Sequence, residues 1–114
     1  MLEFKDALYR LIGLRIRKLR TGMGMKQEEL AELSKVTRTS LSNIEAGKHQ
    51  PSLHILYSIF QSLKSDVHVN LPTRTEVEEF IESENAELQL VDHLHKKTLT
   101  DKTKKDIEDI IKKL

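Results

Sequence analysis

Residues 25–52, MKQEELAELSKVTRTSLSNIEAGKHQPS, constrain the fold more than any other stretch. They read as two short helices joined by a tight turn. The first runs Gln27-Glu28-Glu29-Leu30-Ala31-Glu32-Leu33, and the acids in its first turn suit the positive end of a helix dipole. Leu30, Ala31 and Leu33 make its inner face, with Ala31 small enough to let a second helix cross closely. Ser34-Lys35-Val36 forms the turn. Thr37 can cap the second helix by accepting a hydrogen bond from an amide one turn on. That helix runs Arg38–Ala46 and closes at Gly47, a residue that readily takes a left-handed C-terminal cap. Val36, Leu41 and Ile44 point inward at helical spacing.

The inward set leaves Arg38, Thr39, Ser42 and Asn43 outside. Arg can donate two hydrogen bonds to the edge of guanine, and Asn can both donate to and accept from adenine. Thr can offer a methyl group to thymine or a hydroxyl to phosphate. A solvated polar face is the plainer account of such a row. The preceding helix, the capped turn and Ala31 favour base reading in the major groove.

These residues carry a resemblance. Ile16-Arg17-Lys18-Leu19-Arg20, Gln27–Ala31, Val36-Thr37-Arg38, Leu41–Lys48 and Pro51-Ser52 match, in order and spacing, the phage repressor and Cro-type (XRE-like) helix-turn-helix family over residues 12–72. The resemblance implies a bundle of four or five helices that binds DNA as a two-fold dimer. It implies base reading by Arg38, Thr39 and Asn43, to which the outward row of the helix adds Ser42. It implies backbone contacts from Gln27 and Lys48; Thr37, Ser40 and the helix 1 cations Arg15, Arg17 and Lys18 are further candidates for the backbone. It also implies a structural Arg20–Glu45 pair tying helix 1 to the recognition helix. The family's turn usually carries glycine where this chain has Lys35. A left-handed residue there costs a non-glycine roughly 1–2 kcal/mol, so either Lys35 takes that strain or the turn differs.

The rest of the chain fits around this unit. Helix 1 is expected over about 3–21, with Phe4, Leu8, Ile12, Ile16 and Leu19 on one face. Ser52 should cap a fourth helix whose core positions are Leu53, Leu56, Ile59, Phe60 and Leu63. Residues 66–71 read as a short final helical turn closed by Pro72. Composition changes there. Residues 1–72 hold 11 Lys/Arg and 7 Asp/Glu, and residues 73–114 hold 8 and 11. Only the first part has the sign of a DNA-binding surface. The expectation is therefore an all-α chain: a repressor-like DNA-binding domain over 1–72 and a two-helix extension over 73–114. Thr75 and Glu78 read as a capping box. An apolar stripe of Phe80, Ile81, Leu88, Val91 and Leu94 follows, and Asn85 is a point where it could bend. Ile107, Ile110, Ile111 and Leu114 stripe a last helix. These faces must pack on helix 4, on another protein or on a second copy of the chain. A second copy is preferred, because one helix-turn-helix reads too little DNA to be specific.

Other chemistry finds no support. There is no Cys, hence no disulfide or thiolate metal site. In the cluster Asp92, His93 and His95, i, i+2 spacing sends the imidazoles to different sides of a helix, so no metal is expected. No phosphate loop, nucleophile–base pair, membrane span or export signal is legible. The sequence thus points to a cytoplasmic, non-enzymatic, cofactor-free regulator of transcription, a repressor acting as a homodimer on double-stranded DNA. The alternative is an antitoxin-type interaction protein that binds a toxin through its C-terminal helices and regulates its own gene through the same DNA-binding domain.

Overall fold

The computed structural model describes residues 2–96 and 108–113, apart from the side chains of residues 92, 93, 95 and 96. Six helices follow in order: α1 Phe4–Gly22, α2 Gln27–Ser34, α3 Arg38–Glu45, α4 Leu53–Ser62, α5 Val67–Asn70 and α6 Arg74–Lys96. Residues 108–113 are also helical. No strand occurs among the described residues. The chain divides into two compact units, Met1–Glu82 and Ser83–Leu114. The first therefore runs ten residues past Pro72.

The core of the first unit gathers Ile12, Ile16, Leu30, Ala31, Leu41, Ile44, Leu56, Ile59, Phe60, Leu63 and Val67. Three residues expected inside stand outside: Phe4, Leu33 and Leu53, the last two about 60% exposed. On α2 the buried face is Leu30, Ala31 and Ser34. Leu33 lies roughly 100° round the helix from the centre of that face. Ser34 takes the inner place because its hydroxyl donates to the Ser62 hydroxyl at 3.2 Å, joining α2 to α4. Phe4 and Leu53 are first residues of their helices, with no preceding turn to cover them.

The caps follow the sequence where a hydroxyl precedes a helix. Thr37 accepts from the Ser40 amide at 3.0 Å, and Ser52 accepts from the Ile55 amide at 3.2 Å. α6 begins two residues before the expected box. The Glu76 amide donates to the Thr73 hydroxyl at 3.1 Å, and the Thr73 amide donates to the Glu76 carboxylate at 3.0 Å. Glu78 is instead engaged by Arg74 at 3.1 Å. The helix starts as soon as the chain clears Pro72, so the earlier of two Thr-x-x-Glu runs wins. Glu76 also receives the Arg15 guanidinium, which in turn donates to the Asn70 carbonyl at 3.1 Å. The Thr73 amide, and next to it the Arg15 guanidinium, hold the Glu76 carboxyl below the usual carboxylate range. Val77 is fully buried. The first turns of α6 thus belong to the first unit, and α6 continues as one helix through Asn85.

Two backbone features set the crossing of the recognition helix. A Cβ on Gly13 would lie 2.4 Å from the Ile44 carbonyl oxygen and 2.5 Å from that of Glu45. Glycine in mid-helix costs about 1 kcal/mol relative to alanine, yet only glycine lets α1 meet the end of α3 this closely. Lys35 takes the left-handed conformation, φ 59° and ψ 39°, at the end of α2. Its strain is held in place by the Val36 amide, which donates back to the Ala31 carbonyl at 3.0 Å.

A buried ion pair completes the tie. Arg20 Nε donates to Glu45 Oε2 at 2.7 Å and Nη2 to Oε1 at 3.0 Å, while Nη1 reaches the Met25 carbonyl at 2.8 Å. Gln27 Nε2 adds a further donor to Glu45 Oε1 at 3.1 Å. Every buried side-chain polar atom among the described residues has a partner, as burial of charge requires.

Two predictions follow from this frame. Gly13→Ala should lower stability by about 1–3 kcal/mol through overpacking, whereas Lys35→Gly should raise it by roughly 1 kcal/mol by relieving the left-handed strain. Urea denaturation of both variants checks this, and equal signs would show that the α1–α3 crossing and the turn are not as described. Separately, Glu45→Ala should cost about 3–5 kcal/mol, because Arg20 is left buried and alone, and the double change Arg20→Met with Glu45→Leu should cost less than that single change. A single-variant cost below about 1 kcal/mol, the level of an exposed pair, would remove the pair as the tie between α1 and α3.

Candidate nucleic-acid interface

α3 is eight residues long and buries one side, Leu41, Ile44 and Glu45. Arg38, Thr39, Ser42 and Asn43, at i, i+1, i+4 and i+5, form a single exposed stripe on the other. Together with Gln27 they line a shallow open cleft. The stripe contains donors, acceptors and a methyl group, and the covered side leaves it no freedom to rotate inward.

The supporting residues are placed by hydrogen bonding. A carboxylate can only accept, so the bond to Glu45 identifies which end of the Gln27 amide is nitrogen. Its carbonyl oxygen and second N–H are left for the cleft. Thr37 stands exposed with its hydroxyl capping α3, and Ser40 is half-buried one turn on. Beyond α3, the Lys48 and His49 amides donate to the Asn43 carbonyl at 2.9 and 3.3 Å. That bond keeps the exposed Lys48 beside the last turn of the stripe.

The cations of α1 divide. Arg17 and Lys18 are exposed but do not line the cleft. Arg15, expected as a backbone contact, is committed to Asn70 and Glu76 of its own chain. Its place among the cations of the cleft is taken by a residue the sequence did not suggest. Lys26 stands at the N-cap of α2, where no side chain caps the helix, and with Arg20, Gln27, Glu28 and Arg38 it lines an adjoining cleft. The signal was available: a lysine, not a Ser, Thr or Asp, heads a helix that opens Gln-Glu-Glu. Uncapped amides and a cation at a helix N-terminus suit an anion.

The expected association stripe is only partly exposed. Phe80 is half-buried, with the Arg10 guanidinium 5.7 Å from its ring centre, so it is engaged within its own unit. Ile81 and Leu94 are half-buried, while Leu88, Val91, Ile110 and Ile111 are exposed. Ile107 and Leu114 lie outside the described residues, as do the side chains of Asp92, His93 and His95. Among the described residues no cluster of three metal-binding side chains occurs, and no helix is long and apolar enough to cross a membrane.

Comparison with known proteins agrees with this geometry. A helix-turn-helix family model matches residues 16–68. An uncharacterised helix-turn-helix-type transcriptional regulator of Archaeoglobus fulgidus is 47% identical over 45 residues, which cover 40% of this chain and 64% of that protein. Another, y4dJ of Sinorhizobium fredii, is 34% identical over 67 residues, covering 59% of this chain and 86% of the relative. The restriction-modification controller protein C.AhdI of Aeromonas hydrophila superposes with a TM-score of 0.50 at 33% identity, over 51% of this chain and 88% of its own. The clp gene regulator ClgR of Corynebacterium glutamicum superposes with a TM-score of 0.61 at 27% identity, over 82% and 92%. With its exposed α3 stripe, its two-helix motif and these matches, the chain belongs to the XRE-type helix-turn-helix transcriptional regulators, DNA-binding proteins and not enzymes.

Proposed function

We propose that this chain is a sequence-specific transcriptional repressor that binds a (pseudo)palindromic operator as a homodimer. The observation that carries the reading is the stripe Arg38, Thr39, Ser42 and Asn43, exposed on a helix whose opposite side is locked into the core. Arg38 is suited to guanine, Asn43 to adenine and Thr39 to the thymine methyl, with Ser42 tolerant of either partner. Gln27, Thr37, Ser40, Lys48, Arg17 and Lys18, with Lys26 added, hold the phosphates. Two recognition helices about 34 Å apart enter successive major grooves. The bound dimer represses by occupying DNA that polymerase needs. A restriction-modification controller and a clp gene regulator among the similar structures support gene regulation as the task. The exposed Leu88, Val91, Ile110 and Ile111 support self-association through the tail.

The DNA reading is tested on a site selected from random sequence. Arg38→Ala and Asn43→Ala should each cost about 1–3 kcal/mol at that site and change little on random duplex. Lys48→Ala should weaken both alike and flatten the salt dependence. With about 6–10 phosphates neutralised, wild-type affinity should fall by roughly 10³–10⁵ between 50 and 200 mM salt. Equal losses on both DNAs for Arg38→Ala would reduce the stripe to a phosphate clamp.

Oligomeric state is tested by sedimentation. The full chain should be a dimer, and a fragment ending at Glu82 should be folded and monomeric. A cut at Pro72 is a poorer probe, because it also removes the buried Val77 and the Glu76 partner of Arg15. A fragment dimerising as tightly as the full chain would move the dimer interface off the tail.

A further inference from the structure

The cleft at the start of α2 holds a carboxylate to which DNA binding has so far given no task. Glu28 lines it together with Arg20, Lys26, Gln27 and Arg38. Arg20 is committed to Glu45 and the Met25 carbonyl, and the Gln27 nitrogen to Glu45. Lys26, Glu28 and Arg38 are exposed, and among the described residues no side-chain hydrogen bond or ion pair engages any of them. An acid beside cations at the edge of a DNA-binding surface works against affinity for phosphate. The helix dipole accounts for part of its presence. Glu28 and Glu29 both stand in the first turn of α2, where no side chain caps the helix, and either suits the dipole there. Of the two, Glu28 is the one that lines the cleft with Arg38.

Arg38 has a need that Glu28 can meet. A guanidinium carries five N–H donors and no acceptor, and a guanine edge takes two of them. Once water is displaced, the others require acceptors. The cleft offers the Gln27 carbonyl oxygen, which is neutral, and the Glu28 carboxylate. Hydrogen bonds to an ionised acceptor are about twice as strong as neutral ones. The competing acceptor is a DNA phosphate, which would hold Arg38 without reading sequence. A carboxylate beside the guanidinium repels that phosphate.

Resting on the base-reading role of Arg38 given above, we propose that Glu28 is the positioning residue for Arg38. Its carboxylate takes the N–H groups that guanine leaves over and turns the guanidinium from the phosphates to the base edge. Glu28 therefore weakens binding to DNA at large and strengthens binding to the operator.

Neutralising Glu28 should act in opposite directions on the two DNAs. The full-length chain is titrated against a site selected from random sequence and against random duplex, at one salt concentration. Glu28→Gln should bind the selected site about tenfold more weakly and random duplex more tightly. Glu29→Gln should lose the same small stability in urea, since it serves the same dipole, and keep the wild-type ratio of the two affinities. With Arg38→Ala already in place, adding Glu28→Gln should leave that ratio unchanged, because the two residues act as one unit. Tighter binding of Glu28→Gln to both DNAs alike would make Glu28 a plain repellent and overturn the positioning role. So would an equal fall in the ratio for Glu29→Gln, or a further fall in the Arg38→Ala background. If Arg38→Ala alone keeps the wild-type ratio, base reading by Arg38 fails and the role of Glu28 fails with it. If Arg38→Ala collapses the ratio and Glu28→Gln does not lower it, the positioning role alone is overturned.

Discussion

Glu45 organises the interface without touching it. Its carboxylate is shared by Arg20 from α1 and Gln27 from α2, and Arg20 also closes the loop between those helices through the Met25 carbonyl. Burying two charges is expensive, and two apolar side chains could hold the helices together as well. They could not orient Gln27. An ion pair with all three guanidinium nitrogens engaged sets the angle of the recognition helix and, through the same oxygen, the amide that lines the cleft beside it. Stability and the geometry of DNA contact therefore rest on one buried carboxylate. Gly13 makes this possible, because the α1 backbone reaches the Ile44 and Glu45 carbonyls only where no Cβ intervenes.

Sequence periodicity revealed the fold where a helix has neighbours on both sides of the residue in question. Ile12, Ile16, Leu41, Ile44, Leu56, Ile59 and Phe60 recur at helical spacing and are buried. It failed at ends and edges. Phe4 and Leu53 are apolar residues with nothing placed over them, and Leu33 lost its position to a serine whose value depends on Ser62, 28 residues away. Nor could local pattern choose between Thr73 and Thr75, each followed three residues on by glutamate. The choice falls to Pro72 on one side and Arg15 on the other, and the second is a tertiary fact.

The same division holds for the interface. The stripe on α3 was legible because its spacing is fixed within one helix and its inward partners are large and apolar. The α1 cations were not, since Arg15, Arg17 and Lys18 are alike in sequence and only the fold sends Arg15 to Glu76 and Asn70. Lys26 was hidden for a different reason. The helix start at Gln27 was legible and placed Lys26 at an N-cap with no capping side chain, but only the fold brings that helix start beside Arg38 and the cleft.

α6 changes its task along its length. Its first turns are structural: Thr73 and Glu76 cap it, Arg15 holds Glu76, Arg10 covers Phe80, and Val77 fills the core. Past Glu82 no core position of the first unit remains, yet apolar residues continue at Leu88 and Val91. Apolar surface kept on an acidic helix calls for a covering surface that is itself apolar and not acidic. DNA is excluded by its charge, and an identical acidic helix by the same argument.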